Sequence, residues 1–192
     1  MQKNSLKVCI LIITFLLLLG FSSCGAKEEK YVTVGDEQIL LKTRNIEDKI
    51  TLELPADFVE MDADSKREKG YGENGIYYMD DENKVNIGIA FGSYDMEETQ
   101  VIEYLSTFQY MLSQTGNSEV INYMAEEREE KAFAYIETKT IVDSENNVEV
   151  YNNIVFFIVD GKLSTVTVSM PYEMMETWRL ASQDILASID VK

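Results

Sequence analysis

The sequence contains no histidine. That removes the general base of a Ser-His-Asp triad, the partner of a Cys-His pair and the commonest zinc ligand. Cysteine is nearly missing as well: Cys9 and Cys24 are the only two, too few for a disulfide framework. Proline stands only at Pro55 and Pro171, and no repeat, Pro-rich or low-complexity stretch divides the chain. Positive charge is scarce, with 17 Lys and Arg against 34 Asp and Glu, a formal charge of −17. Such a balance argues against nucleic acid and against adhesion to anionic lipid, since both need a basic surface. No phosphate loop is present either, because Gly70-Tyr71-Gly72-Glu73-Asn74-Gly75 lacks the lysine and the strand-to-helix setting. What remains is ample for a core: 45% of residues are hydrophobic and 10% aromatic, and 192 residues suit one domain with a leader.

Residues 1–23 read as a signal peptide. Lys3 and Lys7 supply its positive start, and the apolar run Val8–Leu19 is shorter than the ~20 residues a spanning helix needs. Phe21-Ser22-Ser23-Cys24 resembles a bacterial lipobox, although Phe21 stands where leucine is more usual. The resemblance implies that the Cys24 thiol is acylated and that cleavage leaves Cys24 first. An uncleaved anchor, or plain secretion with Cys24 as a bystander, is the alternative. Two or three acyl chains hold a protein at a membrane far better than one. Processing at Cys24 removes Cys9, Lys3 and Lys7, taking the formal charge from −17 to −19 and leaving no free thiol. Residues 24–30 then form a tether. Its Lys27-Glu28-Glu29 resembles the surface-export signal of some Bacteroidetes lipoproteins, and a solvated spacer reads equally well. The expected address is the bacterial cell envelope: outer membrane or cell surface in a two-membraned host, otherwise the outer face of the plasma membrane.

Residues 31–192 read as a single domain. Tyr31–Val34 and Gln38–Thr43 predict strands around Gly35-Asp36-Glu37, and the alternation in Ile50–Leu54 predicts a third, ended by Pro55. The charged stretch 56–75 reads as a mobile loop. Ile76–Met79 and Val85–Tyr94 predict a strand pair. A helix follows, with Asp95 as N-cap, Val101, Leu105, Phe108 and Leu112 as its apolar stripe, and Gly116 as its stop. Strands are expected at Val120–Met124, Ala132–Val142, Val148–Val159 and Lys162–Met170, the last two joined through Asp160-Gly161. Pro171 suits the first turn of a final helix striped by Met174, Trp178, Ala181, Ile185 and Ile189. The fold class is α+β, an antiparallel sheet flanked by two amphipathic helices.

The order of these elements carries a resemblance. An early strand closing in Leu54-Pro55 with Phe58 soon after, a mid-chain helix, meandering strands, the Asp160-Gly161 turn and a C-terminal helix bearing Trp178 follow one pattern. It resembles the PsbP-like α/β/α sandwich, found also in DcrB-type bacterial lipoproteins, over roughly residues 46 to 191. The resemblance implies a binding or assembly-supporting module without a shared catalytic site.

The residues themselves point the same way. Carboxylates are plentiful but sit in turns and loops, where solvated surface charge accounts for them. Asp143, Glu145 and Asn147 alternate as calcium-loop oxygens do, yet the turn lacks the central glycine, and Ile154 occupies the place of the bidentate glutamate. They form a weak calcium candidate beside a plain hairpin turn. No metal or other cofactor is expected. The leading expectation is a non-enzymatic, membrane-anchored module whose acidic face recruits a basic protein or peptide. Its candidate contacts are Tyr71, Asp80, Asp81, Glu126, Glu127, Glu129 and Glu130, with Cys24 as the lipidation site. Two alternatives are an immunity lipoprotein that neutralises an envelope-targeted toxin, and an envelope enzyme using two carboxylates.

Overall fold

The computed structural model describes residues 29–80, 82 and 84–192. The leader, Cys24 and Asp81 lie outside the described residues. Contacts group Tyr31–Lys192 as one unit. Its strands are β1 (Lys30–Val34), β2 (Glu37–Ile46), β3 (Ile50–Pro55), β4 (Val59–Glu60), β5 (Ile76–Asp80), β6 (Val85–Asp95), β7 (Ser118–Arg128), β8 (Lys131–Asp143), β9 (Val148–Val159), β10 (Lys162–Pro171) and β11 (Asp190–Val191). Its helices are α1 (Ala63–Glu68), α2 (Glu98–Thr115) and α3 (Met175–Ala187).

The strands form two sheets. One has the order β1-β2-β3-β11, the other β4-β5-β6-β10-β9-β8-β7. The larger sheet is antiparallel at every pairing. Alternation along its strands separates two cores. On one face Phe133, Tyr151, Val155, Phe157, Val166, Val168 and Met170 join Leu52 and Leu54 of the small sheet and Trp178 and Ile185 of α3. On the other face Ala134, Ile136, Phe156 and Ile158 pack against Val101 and Leu105 of α2. A helix on each face of an antiparallel sheet is the expected α+β sandwich, with the small second sheet as an addition. No helix among the described residues is long and apolar enough to cross a membrane.

Several local expectations change. The stretch 56–75 is not a plain loop, because Val59–Glu60 pairs with β5 and Asp62 caps α1 by accepting the Ser65 amide at 2.8 Å. Asp64 in the first turn and Lys66 and Arg67 in the last complement the short helix's dipole. The N-cap of α2 is Glu97, whose amide donates to Gln100 Oε1 at 2.9 Å in a reciprocal box. Asp95 closes β6 instead and accepts Lys162 Nζ at 2.8 Å, an exposed pair that holds its carboxyl below the ordinary range. Pro171 ends β10, and a 3-10 turn at Tyr172–Met174 intervenes before α3. Gly116 ends α2 in the left-handed conformation, as its position in the sequence predicts.

The longest departure concerns β7, expected as five residues and found to run from Ser118 to Arg128. A two-residue turn, Glu129-Glu130, returns the chain into β8, and both residues have positive φ. That is the backbone of a type I′ hairpin, here made without the usual Asn or Gly.

Candidate functional site

The larger sheet places β7 at its open edge, and α3 crosses the same end on the face of Phe133 and Tyr135. Between them lies a cleft of about 230 Å³. Asn122, Met124 and Glu126 reach it from β7, Tyr135 and Glu137 from β8, and Gln183, Asp184 and Ala187 from α3. Register explains the grouping. Asn122, Met124 and Glu126 stand opposite Glu137, Tyr135 and Phe133, so their side chains share the α3 face. On α3, Gln183 and Ala187 are one helical turn apart and line the same wall.

The apolar floor of the cleft, at Met124 and Tyr135, adjoins a polar network centred on Glu137. Glu137 is buried at 4% exposure and accepts from four side chains. Arg179 donates through Nε at 2.6 Å and Nη2 at 3.3 Å, Tyr151 through its hydroxyl at 2.8 Å, Gln183 at 2.9 Å and Asn122 at 3.2 Å. Burial alone would raise the Glu137 carboxyl, but these bonds, Arg179's first, outweigh it and hold it below the ordinary range. Burial, then the bond to Glu137, pushes the Tyr151 hydroxyl far above the usual phenol range. Glu137 is therefore an ionised, fully partnered anchor tying β7, β8, β9 and α3 together. It has no proton to exchange near neutral pH. Asn153 extends the network by donating to Ser182 Oγ at 3.0 Å.

At the outer end, the Tyr135 hydroxyl accepts from Arg128 Nη2 and donates to Glu126 Oε1, each at 2.9 Å. Arg128 also donates to the Ala187 carbonyl at 2.6 Å and lies 3.8 Å above the Phe133 ring. Its Nε stands 3.1 Å from Glu126 Oε1, close enough for charge attraction but not aligned as a hydrogen bond. Lys131, the other cation of the β7–β8 hairpin, donates to the Val191 carbonyl. The hairpin's cations thus turn inward, while Glu127, Glu129 and Glu130 are exposed. Asp184 is exposed at the rim as well.

The candidate contacts read from the sequence separate into two groups. Glu126 lines the cleft, and Glu127, Glu129 and Glu130 flank it. Tyr71 and Asp80 lie at the far side of the sheet. Tyr71 stacks on Tyr77 of β5 at 4.5 Å, and Asp80 accepts the Glu82 amide at 3.0 Å. Five strand spacings separate β5 from β7 in the sheet order, about 24 Å, so one small ligand cannot span both. The hollow near Tyr78, about 530 Å³, is lined mainly by polar groups such as Glu47, Glu60, Lys66 and Glu73, without an apolar floor.

The calcium candidate is spent on its own turn. Asp143 Oδ1 accepts the amides of Glu145 and Asn146 at 3.0 and 3.1 Å, and its Oδ2 accepts Asn146 Nδ2 at 2.6 Å. Glu145 and Asn147 are exposed, and Asn147 takes positive φ to close the turn. No group of three acidic or thiol ligands suited to a metal exists among the described residues.

Sequence reasoning passed over Glu137, Arg179, Gln183 and Asn122. One signal was present: Glu137 is the single acid in Ala132–Val142, between Ile136 and Thr138, and Arg179 and Gln183 are four apart on the final helix. A carboxylate inside a buried strand needs a cation, and a helix packed on that strand is the place to find one.

No family model and no curated protein matches the sequence. Solved structures do resemble the fold. Cyanobacterial PsbP (CyanoP) from Synechocystis sp. PCC 6803 superposes with a TM-score of 0.60 at 17% identity, covering 90% of this chain and 99% of its own. The Saccharomyces cerevisiae Ran-binding protein Mog1p superposes at 0.51 with 10% identity, covering 80% of this chain and 96% of its own. LpqN of Mycobacterium tuberculosis, described as involved in cell envelope biogenesis, reaches 0.49 at 14% identity, covering 86% and 91%. The chain has the PsbP-like fold.

Proposed function

We propose that this chain is a non-enzymatic binding module of the bacterial cell envelope, held by lipid on Cys24, and that its cleft between β7 and α3 receives a basic protein segment or peptide. The observation that carries the reading is the make-up of that cleft. An apolar floor at Met124 and Tyr135 is bordered by Glu126 and Asp184, and the neighbouring cations are tied inward. A guanidinium or ammonium on an aliphatic stem matches such a surface, with its stem on the apolar floor and its charge at the rim. Mog1p is named for binding another protein, so a protein-binding role on this scaffold has a precedent by analogy of fold.

Two experiments test the two halves. With the leader still removed, replacing Cys24 by alanine is expected to move the protein from the sedimented membrane fraction into the soluble one; equal retention of the trimmed protein in the membranes would contradict the lipid anchor. For the cleft, Glu126→Gln with Asp184→Asn is expected to weaken binding of an arginine-rich peptide about tenfold at low salt. The difference shrinks as salt screens the exposed charges. Equal affinity of the double variant and the parent would remove the cleft from the account.

A further inference from the structure

The outer side of β7 is an unpaired strand edge. β7 ends the sheet order, and among the described residues no other segment pairs with it. The register fixes which peptide groups point outward. A two-residue hairpin makes its closing pair, Arg128 and Lys131, mutually hydrogen-bonded, and bonded pairs alternate from there. Glu126–Phe133, Met124–Tyr135 and Asn122–Glu137 are therefore bonded pairs. Tyr123, Ala125 and Glu127 turn both N–H and C=O away from β8, into solvent. Ala132, opposite Glu127, confirms the phase, because its amide points away from β7 and donates to Glu98 at 2.8 Å.

Proteins usually blunt an open edge by shortening, bulging or charging it. Here a bulge lies between Val120 and Asn122, but Asn122–Arg128 continues in unbroken register and exposes Tyr123 and Met124 at 59% and 50%. Four carboxylates, Glu126 and Glu127 with Glu129 and Glu130 in the turn, outnumber the single cation among them, Arg128, whose guanidinium is held on the Ala187 carbonyl and the Tyr135 hydroxyl. That pattern repels a second copy of this chain, whose edge would bring the same carboxylates. It attracts an extended segment rich in arginine or lysine.

We propose that β7 is a strand-addition site: a basic, extended segment of a partner protein pairs with Tyr123, Ala125 and Glu127 and becomes an eighth strand of the larger sheet. This rests on the cleft reading above and specifies how the segment is held. Main-chain bonds to the edge supply affinity, and alternate side chains supply selectivity. Side chains on the α3 face enter the cleft, their stems on Met124 and Tyr135 and their charges at Glu126 and Asp184. Those on the α2 face lie beside the exposed Tyr123 ring, where a β-branched residue makes a favourable cross-strand neighbour.

The probe is a capped heptapeptide of alternating arginine and valine, added to the full folded domain. Hydrogen exchange at the amides of Tyr123, Ala125 and Glu127 is expected to slow at least about tenfold on binding. Ala125→Pro removes one outward donor without touching the bonds to β8, and proline is tolerated at such an edge position. It is expected to weaken the peptide about tenfold, the loss of one edge bond and its neighbour. The same peptide N-methylated throughout keeps its charge and is expected not to bind. If the parent peptide binds and Glu126→Gln with Asp184→Asn weakens it, while the three amides exchange as before, strand addition is wrong and the cleft reading stands. Protection of those amides without peptide, growing with protein concentration, would assign the edge to a second copy and overturn the proposal. No binding at low salt would overturn both. The exchange readout on the unsubstituted protein decides the matter even if Ala125→Pro does not fold.

Discussion

Glu137→Ala is expected to destabilise the domain by about 3 kcal/mol, a fall in Tm of roughly 10 °C for a domain of this size. Four side chains converge on that carboxylate, and removing it strands them unequally. Asn122 is exposed and finds water, and the Arg179 side chain, 37% exposed, finds some. The Tyr151 hydroxyl has no such exit, since Tyr151 is fully buried. Its lost bond costs the desolvation of the group as well as the contact. Tyr151→Phe in the Glu137→Ala background is therefore expected to cost less than the same change in the parent, a coupling that thermal unfolding of the four proteins measures. The pH dependence has a definite sign. Because the folded pKa of Glu137 lies below its ordinary value of 4.5, its contribution is complete above that value and is lost as pH falls through the folded pKa. The stability difference between the parent and Glu137→Gln should thus be constant from neutrality down to about 4.5 and narrow below it. A difference that widened on acidification would mean that the carboxyl is protonated in the fold.

Gly92→Ala is expected to be nearly as damaging, at about 3 kcal/mol, for a reason that has nothing to do with charge. β6 and β10 lose register between Asp95–Lys162 and Phe91–Ser164, so Gly92, Ser93 and Tyr94 stand opposite Leu163 alone. The bulge brings the Leu163 carbonyl so close that a Cβ on residue 92 would lie 1.9 Å from its oxygen. Backbone must move to relieve that contact, and β10 is paired on both sides. Gly75 gives the contrast. A Cβ there would meet the Tyr77 ring at 2.5 Å, but a ring can swing aside. Gly75→Ala is expected to cost below about 1 kcal/mol, the loss of a ring stack at most. Equal costs at the two positions, read by denaturant unfolding, would contradict the close backbone approach.

These two residues also mark where sequence reading ends. Hairpins announced by Gly35 and Asp160-Gly161 are where the local signals place them, because turn geometry selects residue type within a few positions. The stripes Val101–Leu105 and Trp178–Ala181–Ile185 found the two faces of the sheet for a similarly local reason. The Glu129-Glu130 turn carried no such signal. Two glutamates rarely adopt positive φ, so the length of β7 and its place at the sheet edge stayed hidden. Asp95 failed as an N-cap because a better local solution, Glu97 with Gln100, lay two residues on and Lys162 claimed Asp95 across a strand pair. The division into two sheets was likewise illegible, since it depends on β3 pairing with Asp190–Val191 at the far end of the chain. Of the candidate site, the run of acids at 126–130 could be read directly, but not the hairpin that carries it. Its conversion into a cleft could not, because Tyr135, Gln183 and Asp184 approach it only in the folded chain.

The most direct test is the residue-by-residue amide map of the domain titrated with the arginine–valine peptide. Shifts confined to Asn122–Glu127 of β7 and Gln183–Ala187 of α3, with the resonances of Tyr71 and Asp80 unmoved, are the expected result. Shifts centred on the β5 side of the sheet, or spread evenly over every carboxylate of this acidic surface, would contradict a built cleft at the β7 edge.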